Sequence, residues 1–226
     1  MHKHLKSLLF GTTLLCLLGF VFVSNALANS ITLDGEFSDW EGKAYISDPA
    51  YDSFPSGDIT KFAWATNDGE NNLYFMIERR GFGELSDPLM SIYRVNLDLS
   101  DNGNYHNGND RYLDIVYNPL INGLVTVYLY KGNGNLLKVY SGYWGEVTPQ
   151  GGRKCEFYAS MDDLHMFPAQ SLRMYVNSFH LINDRCPDSG DIQWSPIPIM
   201  PWWGLVIIFA AGLAYGVYKL RNRKTA

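Results

Sequence analysis

Three aspartates follow one another at positions 48, 52 and 58, in the turn-rich stretch ISDPAYDSFPSGDI. Calcium takes about six to eight oxygen ligands from flexible loops, and carboxylates spaced by turn residues can supply them. The sequence therefore predicts a calcium site built on Asp48, Asp52 and Asp58. Turns also favour aspartate for backbone reasons alone, and that alternative stays open.

A second group of residues could bind carbohydrate, because an aromatic ring packs against the apolar face of a sugar while polar side chains bind its hydroxyls. In the strands predicted below, several aromatic and polar residues fall on the faces opposite the core-forming positions. These candidate sugar-binding residues are Tyr128, Tyr130, Trp144, Tyr158, Arg173, Tyr175 and Asn177. Cross-strand aromatic pairing, which stabilises sheets without a ligand, is the alternative.

Signals for catalysis are weak, and we expect no enzyme activity. His106, His165 and His180 are scattered, and the sequence holds neither a GxSxG motif nor a cysteine and histidine arranged as a nucleophile pair. The stretch DNGNYHNGND, residues 101–110, lacks the spacing and the terminal glutamate of an EF-hand loop. It is predicted to be a plain hairpin loop.

Short β-prone runs separated by turn residues make up most of the chain. Residues 31–33 open the series, and residues 72–78 show the period-two alternation of a half-buried strand, with Leu73, Phe75 and Ile77 on one face. Residues 161–164 are predicted to form one helical turn capped by Ser160. About ten short strands with almost no helical periodicity predict an all-β fold, a two-sheet antiparallel β-sandwich of jelly-roll-like size.

Four segments also carry a resemblance to a known family. They are the motif IxxDGxxxDW (Ile31, Asp34, Gly35, Asp39, Trp40), the hairpin WATNDGENNLYF (64–75), EFYASMDDL (156–164) and NDRCPDSG (183–190). Over nearly the whole body, the chain resembles the family 9 carbohydrate-binding modules and their DOMON-like relatives. This resemblance implies a sandwich, structural calcium and sugar binding. It also implies that the closing strand lies beside the opening one, which would bring Asp184 and Asp188 to the first three aspartates. Trp40 and Trp64 are expected in the core.

Both ends of the chain indicate export. Residues 1–28 combine a basic start, an apolar run and Ala-Leu-Ala, and predict a signal peptide cleaved after Ala28, with an uncleaved signal anchor as the alternative. Residues 202–218 carry no charge and reach about 26 Å as a helix, near the thickness of a bilayer core. They predict a single C-terminal transmembrane helix, followed by a basic cytoplasmic tail at 219–226.

The predicted location is the bacterial plasma membrane, with the ectodomain outside. A proline-rich segment at 196–201 precedes the apolar span and the basic end. This three-part arrangement also resembles the sorting tails of bacterial surface proteins, which are cut by a sorting enzyme. Gly212 and Gly216 form one GxxxG pattern, which could pair two such helices into a homodimer.

The body between these ends, residues 29–195, is long enough for one domain. It contains all 23 Asp and Glu but only 12 of the 18 Lys and Arg, so its net charge is −11, which argues against nucleic acid as a partner. Cys155 and Cys186 are predicted to form a disulfide in an exported domain, or to remain two buried thiols. We therefore expect a surface-anchored, non-catalytic, calcium-stabilised module that binds polysaccharide or a cell-envelope glycan. The alternative is a structural or protein-interaction ectodomain without glycan affinity.

Overall fold

Two antiparallel sheets enclose an apolar core in the computed structural model of the chain. The structure describes residues 29–82, 87–147, 151–167 and 170–196, together with positions 210, 212, 213 and 215. Its strands are β1 (Ala44–Ser47), β2 (Ile59–Ala65), β3 (Asn72–Arg79), β4 (Ser91–Asp98), β5 (Arg111–Asn118), β6 (Leu124–Lys131), β7 (Leu136–Tyr143), β8 (Lys154–Ser160), β9 (Leu172–Ser178), β10 (Arg185–Cys186) and β11 (Ile192–Trp194). A 3-10 turn covers Ser38–Trp40, and the one-turn helix α1 covers Met161–Leu164.

The smaller sheet has the strand order β1-β2-β3-β8, and the larger has the order β10-β9-β4-β5-β6-β7, with β11 also paired to β9. The hairpins β2-β3, β4-β5 and β6-β7 pair antiparallel, and Ser160 caps α1 by accepting a hydrogen bond from the amide of Asp162. The predicted antiparallel two-sheet fold and its capped helical turn are therefore confirmed.

The core lies between the sheets and is filled by the residues that alternate inward along each strand. The predicted stripe of Leu73, Phe75 and Ile77 is fully buried there, facing the equally buried Val127 and Val176 of the larger sheet's strands. Alternation predicts this well because each strand has one face turned to the other sheet.

The outer face of the smaller sheet is covered by the N-terminal segment, residues 29–43. Ile31 and Trp40 pack on Ala63, Tyr74 and Met76, which point away from the main core. The prediction that β3 is half-buried was wrong, because this cover buries both of its faces. Trp40 is buried as expected, whereas Trp64 is only partly buried against the main core.

Residues 31–33 do not form the expected strand. The side chain of Asn67 takes the place of a neighbouring strand: its amide nitrogen donates to the carbonyl of Ile31 at 2.8 Å, and its oxygen accepts from the Ile31 amide at 2.7 Å. The turn that follows is held by a buried carboxylate, since Oε1 of Glu156 accepts hydrogen bonds from the amides of Asp34 and Gly35. The first residues of the domain are therefore held by hydrogen bonds to side chains and not by strand pairing.

One end of the core contains a fully buried arginine, Arg79. Its guanidinium donates to the carbonyl oxygens of Ser56, Asp87, Leu89 and Gly152, and it lies 3.5 Å from the carboxylate of Asp87. These acceptors belong to three different loops. Arg79 therefore joins the segments that close this end of the sandwich.

The predicted bridge between Cys155 and Cys186 is not formed. Both are buried as free thiols, Cys155 in β8 of the smaller sheet and Cys186 in β10 of the larger one. Both side chains belong to the main apolar core, where they pack as small apolar groups. The structure therefore has the arrangement that the sequence offered as the alternative.

The predicted end segments lie mainly outside the described residues, which include none of 1–28, of 219–226 or Gly216. Within 202–218, four residues are described and all are helical: Ala210, Gly212, Leu213 and Tyr215. In the part of the chain that the structure describes, no helix has the length and apolar character needed to cross a membrane.

Candidate metal centre and outer sheet face

Four aspartates converge where the loop after β1 meets the segment around β10. Asp48 directly follows β1, and Asp52 lies in the same loop, while Asp184 and Asp188 flank β10. One carboxylate oxygen from each lies within 4.8 Å of the others. The approach of Asp184 and Asp188 to the first loop, which the family resemblance implied, is present in the structure.

Backbone contacts fix the two buried members of this four-aspartate cluster. The amide of Asp48 donates to the carbonyl of Thr60 at 3.1 Å, and Oδ2 of Asp184 accepts from the amide of Ile59 at 2.6 Å. The hydroxyl of Ser53 donates to the carbonyl of Ile182 at 2.6 Å, which ties the two loops together. Two residues at the start of β2, Ile59 and Thr60, thus hold Asp184 and Asp48 in place.

The electrostatics of the cluster favour a bound cation. Asp48 and Asp184 are 9% and 6% exposed, and Oδ2 of Asp48 is buried without a hydrogen-bond donor among the described residues. Burial, followed by the charges of Asp184, Asp188 and Asp52, raises the pKa of Asp48 to about 7. Burial and the nearby Asp52 raise the pKa of Asp184 to about 6. A divalent ion would remove this mutual repulsion.

An all-carboxylate donor set suits a hard cation such as calcium. Asp52 and Asp188 are exposed, so the cluster is open to solvent on one side and closed by Asp48 and Asp184 on the other. The orphaned oxygen of Asp48 fits this interpretation, because a buried carboxylate oxygen without a donor is costly unless a cation or a proton satisfies it. The residues present therefore fit calcium.

Asp58 does not join the four, contrary to the sequence prediction. It is fully buried, and its Oδ2 accepts hydrogen bonds from the amide of Tyr51 and from Nε of Arg80, with which it forms a salt bridge. Asp58 thus supports the loop beside the cluster, and in addition to burial its charge contributes to the raised pKa of Asp52 and of Asp184. Arg80 also lies 4.4 Å from the centre of the Tyr51 ring.

Five of the seven predicted sugar-binding residues share the outer face of the larger sheet. Two rows run across this face. Asn177, Arg94, Asp114 and Tyr128 are paired in one row, and Tyr175, Asn96, Tyr112 and Tyr130 in the next. Arg173 lies one further alternate position along β9. At about 4.8 Å per strand, each row is about 14 Å long, enough for a short oligosaccharide.

Many side chains of this outer face already contact one another. Arg94 binds Asp114 through two hydrogen bonds of 2.6 and 2.9 Å, and the rings of Tyr112 and Tyr130 stack with centres 4.8 Å apart. The sequence analysis missed Arg94, Tyr112 and Asp114 as members of the face. Their outward positions in the alternation of β4 and β5 were the available signal.

One end of the face is held by the β4–β5 loop. The ring of Tyr105 packs edge-on against Tyr175, and Asp101 forms a salt bridge with Arg173. Arg185 lies 4.2 Å from the centre of the Tyr175 ring on β9. All five predicted residues of the face remain partly exposed.

The other two predicted residues, Trp144 and Tyr158, lie elsewhere. Their rings meet edge-on with centres 5.7 Å apart, and they line a cleft of about 500 Å³ between β7 and β8. Tyr140 lines the same cleft, where its hydroxyl donates to Asp163 at 2.7 Å. The sequence grouped these two with the face because alternation gives the side of a strand but not the sheet to which it belongs.

No protein-family profile, curated protein or solved structure matches this chain. The similarity to family 9 modules and DOMON-like domains stays a prediction from motifs. The candidate sites therefore depend on the geometry described above.

Proposed function

We propose that this protein is a non-catalytic, calcium-stabilised binding module that holds polysaccharide or a cell-envelope glycan on the outer face of its larger sheet. The observation that carries the proposal is the position of Tyr128, Tyr130 and Tyr175 on one partly exposed sheet surface. Arg173 and Asn177 lie beside Tyr175 and offer donors and acceptors for sugar hydroxyls. Aromatic rings next to polar groups are the side chains that sugar recognition needs.

Calcium acts structurally in this proposal. The four-aspartate cluster joins the loop after β1 to β10, which pairs with β9, the strand that carries Arg173, Tyr175 and Asn177. An ion there would stabilise the edge of the larger sheet beside the binding face.

The ends of the sequence complete the proposal. A cleaved signal peptide at 1–28 would export the domain, and the apolar residues 202–218 would anchor it in the bacterial plasma membrane with the sandwich outside. Gly212 and Gly216 would offer a contact for a second copy. These statements have their support in the charge and hydropathy pattern of the sequence.

The test uses the full chain in mild detergent with calcium present, and measures binding to soluble polysaccharides and peptidoglycan fragments by affinity electrophoresis and calorimetry. At least one glycan should bind, and Tyr128→Ala and Tyr175→Ala should each weaken it at least about tenfold, as truncation of a central aromatic contact does. Tyr45→Ala is the matched control, since Tyr45 is an exposed tyrosine on the smaller sheet. Loss of binding in Trp144→Ala alone would move the site to the cleft and contradict the proposed face.

A second candidate function is a structural or protein-interaction ectodomain without glycan affinity. It is favoured by the internal pairing on the outer face, where Tyr112 stacks on Tyr130 and Arg94 binds Asp114. On this hypothesis every glycan fails to bind, and Tyr130→Ala lowers the stability of the sheet with no other effect.

A further inference from the structure

The loop between β4 and β5 begins and ends with a fully buried carboxylate, Asp98 and Asp110. Both approach the same hydroxyl: Oγ of Ser100 lies 3.0 Å from Oδ1 of Asp98 and 3.2 Å from Oδ1 of Asp110. A serine hydroxyl has one hydrogen and can donate it to only one of them. The loop therefore brings two buried carboxylates to one hydroxyl, and Asp98 also accepts hydrogen bonds from the amides of Ser100 and Gly103.

Asp110, unlike Asp98, has one carboxylate oxygen without a donor among the described residues. Its Oδ1 accepts from the amide of Leu99 at 3.2 Å, but its Oδ2 is buried and accepts no hydrogen bond from any residue that the structure describes. Such an oxygen costs free energy unless a cation or a proton satisfies it. Burial, followed by the charge of Asp98, raises the pKa of Asp110.

The two nearest arginines are engaged elsewhere. Arg111 points Nη1 at the carbonyl oxygens of residues 108–110 and forms no salt bridge with Asp110 in the described structure. Arg173 is paired with Asp101. Neither guanidinium donates a hydrogen bond to Oδ2 of Asp110, although the charges of Arg111 and Asp110 attract each other.

The order of oxygen-bearing residues in this loop suits calcium when counting starts at Asp98. Ser100 and Asn102 then occupy the third and fifth positions and Gly103 the sixth, as in calcium loops in which residues 1, 3 and 5 are ligands and residue 6 is glycine. Gly103 has φ +79°, and its amide donates to Oδ2 of Asp98 at 2.6 Å, which folds the loop back on the first carboxylate. Counting from Asp101, as in the sequence analysis, hides this pattern.

We propose that the β4–β5 loop binds one calcium ion between the carboxylates of Asp98 and Asp110. The side-chain oxygens of Ser100 and Asn102 complete the ligand set together with main-chain carbonyls and water. Calcium fits better than magnesium, because the donors sit on an irregular loop and magnesium demands near-ideal octahedral geometry. This site shares no residue with the four-aspartate cluster and does not depend on the proposed function.

The ion has a structural consequence for the outer sheet face. The same loop carries Tyr105, which packs on Tyr175, and Asp101, which binds Arg173. Calcium in the loop would fix both of these contacts. It would thereby order one end of the outer face.

The experiment is calcium titration calorimetry on the full chain after removal of metal with a chelator, followed by the same titration on Asp110→Asn. We expect this variant to bind one calcium ion fewer, or to bind it at least about tenfold more weakly. Asp101→Asn is the matched control in the same loop, because Asp101 faces Arg173, and its calcium stoichiometry should equal that of the unmodified chain. An unchanged titration in Asp110→Asn would overturn the proposal. The proposal would also be overturned if Asp110→Asn were more stable than the unmodified chain by the same amount with and without calcium. That result would show that Asp110 is protonated in the unmodified chain.

Asn102→Ala provides a second variant in case Asp110→Asn does not fold, because Asn102 is exposed and its truncation leaves the core intact. It should weaken the same calcium-binding event, and an unchanged affinity would count against the site. Asp48→Asn separates this site from the four-aspartate cluster. If the cluster binds no metal, the unmodified chain binds a single calcium ion that Asp110→Asn removes and Asp48→Asn leaves in place.

Discussion

The indole nitrogen of Trp40 donates a hydrogen bond of 2.8 Å to Oε2 of the buried Glu156. The other carboxylate oxygen of Glu156 accepts from the amides of Asp34 and Gly35. Three donors from the N-terminal segment thus converge on one side chain of β8. The DGxxxDW motif, which resembled a family signature in the sequence, thus attaches the N-terminal segment to β8 through Glu156.

Trp40→Phe should destabilise the domain, because it keeps most of the ring but leaves Oε2 of Glu156 without its donor. The free energy of unfolding should fall by about 2 kcal/mol, the range for losing a hydrogen bond to a carboxylate. Urea denaturation measures this. Trp64→Phe is the control, since the indole of Trp64 has no described hydrogen-bond partner, and it should cost less. Equal losses in the two variants would contradict the role assigned to Glu156.

Asp48→Asn should change stability in opposite directions with and without calcium. Without calcium the variant should melt at a higher temperature at pH 7.5, because one of four mutually repelling carboxylates is gone. At a calcium concentration about 100 times the Kd of the cluster, the ion in the cluster should contribute about 2.7 kcal/mol, or roughly 5–10 °C in Tm. The variant should lose more than half of that contribution and keep any contribution from the β4–β5 loop.

Asp58→Asn is the matched control for this prediction. It breaks the salt bridge with Arg80 outside the four-aspartate cluster, so it should lower Tm alike in calcium and in chelator. If the rise in Tm with calcium is the same in Asp48→Asn as in the unmodified protein, the cluster is not a metal site.

The stability of the calcium-free protein should fall as the pH rises from about 4.5 to about 7. Burial raises the pKa of Glu156 to about 7, and it does the same for Asp48, while Asp184 is raised to about 6. In this range the folded state holds protons that the unfolded state has released, so raising the pH favours unfolding. Urea midpoints at pH 5 and pH 7.5 measure the effect.

Calcium should reduce this pH dependence but leave a part of it. The ion competes with protons at Asp48 and Asp184, whereas Glu156 lies in another part of the molecule and continues to titrate. A urea midpoint that rises with pH in the chelated protein would contradict the direction predicted here.

Cys155 and Cys186 should resist alkylation in the native protein. Burial raises the pKa of the Cys155 thiol to about 12 and also raises that of Cys186, so neither is a reactive thiolate at neutral pH. Mass spectrometry after iodoacetamide treatment should find both unlabelled in the native state and both labelled in guanidinium without reductant. Two cysteines that label only after reduction would instead show the disulfide that the sequence first suggested.

The sequence predicted the strand β3 from its strong alternation, although the cover on its second face was not foreseen. It did not predict β1, because Ala44–Ser47 is mostly exposed at a sheet edge and carries no apolar alternation. It wrongly placed a strand at residues 31–33, since nothing local reveals that Asn67 would bind the Ile31 backbone. Contacts between distant residues decided both cases.

The candidate sites show the same limit. The turn residues identified Asp48 and Asp52, but the pairing of Asp58 with Arg80 joins residues 22 positions apart and leaves no local pattern. Asp98 is the last residue of β4, and the sequence analysis began the loop at residue 101 and so did not count Asp98 with it. Period-two alternation gives the side of a strand that a residue occupies but not the burial that the neighbouring loop creates.

The buried Arg79 constrains how this protein can diverge. Most of its acceptors are main-chain carbonyls, and it also contacts the carboxylate of Asp87 and the hydroxyl of Ser91. Because every residue type carries a main-chain carbonyl, exposed side chains in these loops can change, while an insertion or deletion would move a carbonyl out of reach. Lysine cannot replace Arg79, because a single ammonium lacks the planar set of donors that reaches three loops at once. In related sequences, loop length should be kept where loop identity is lost.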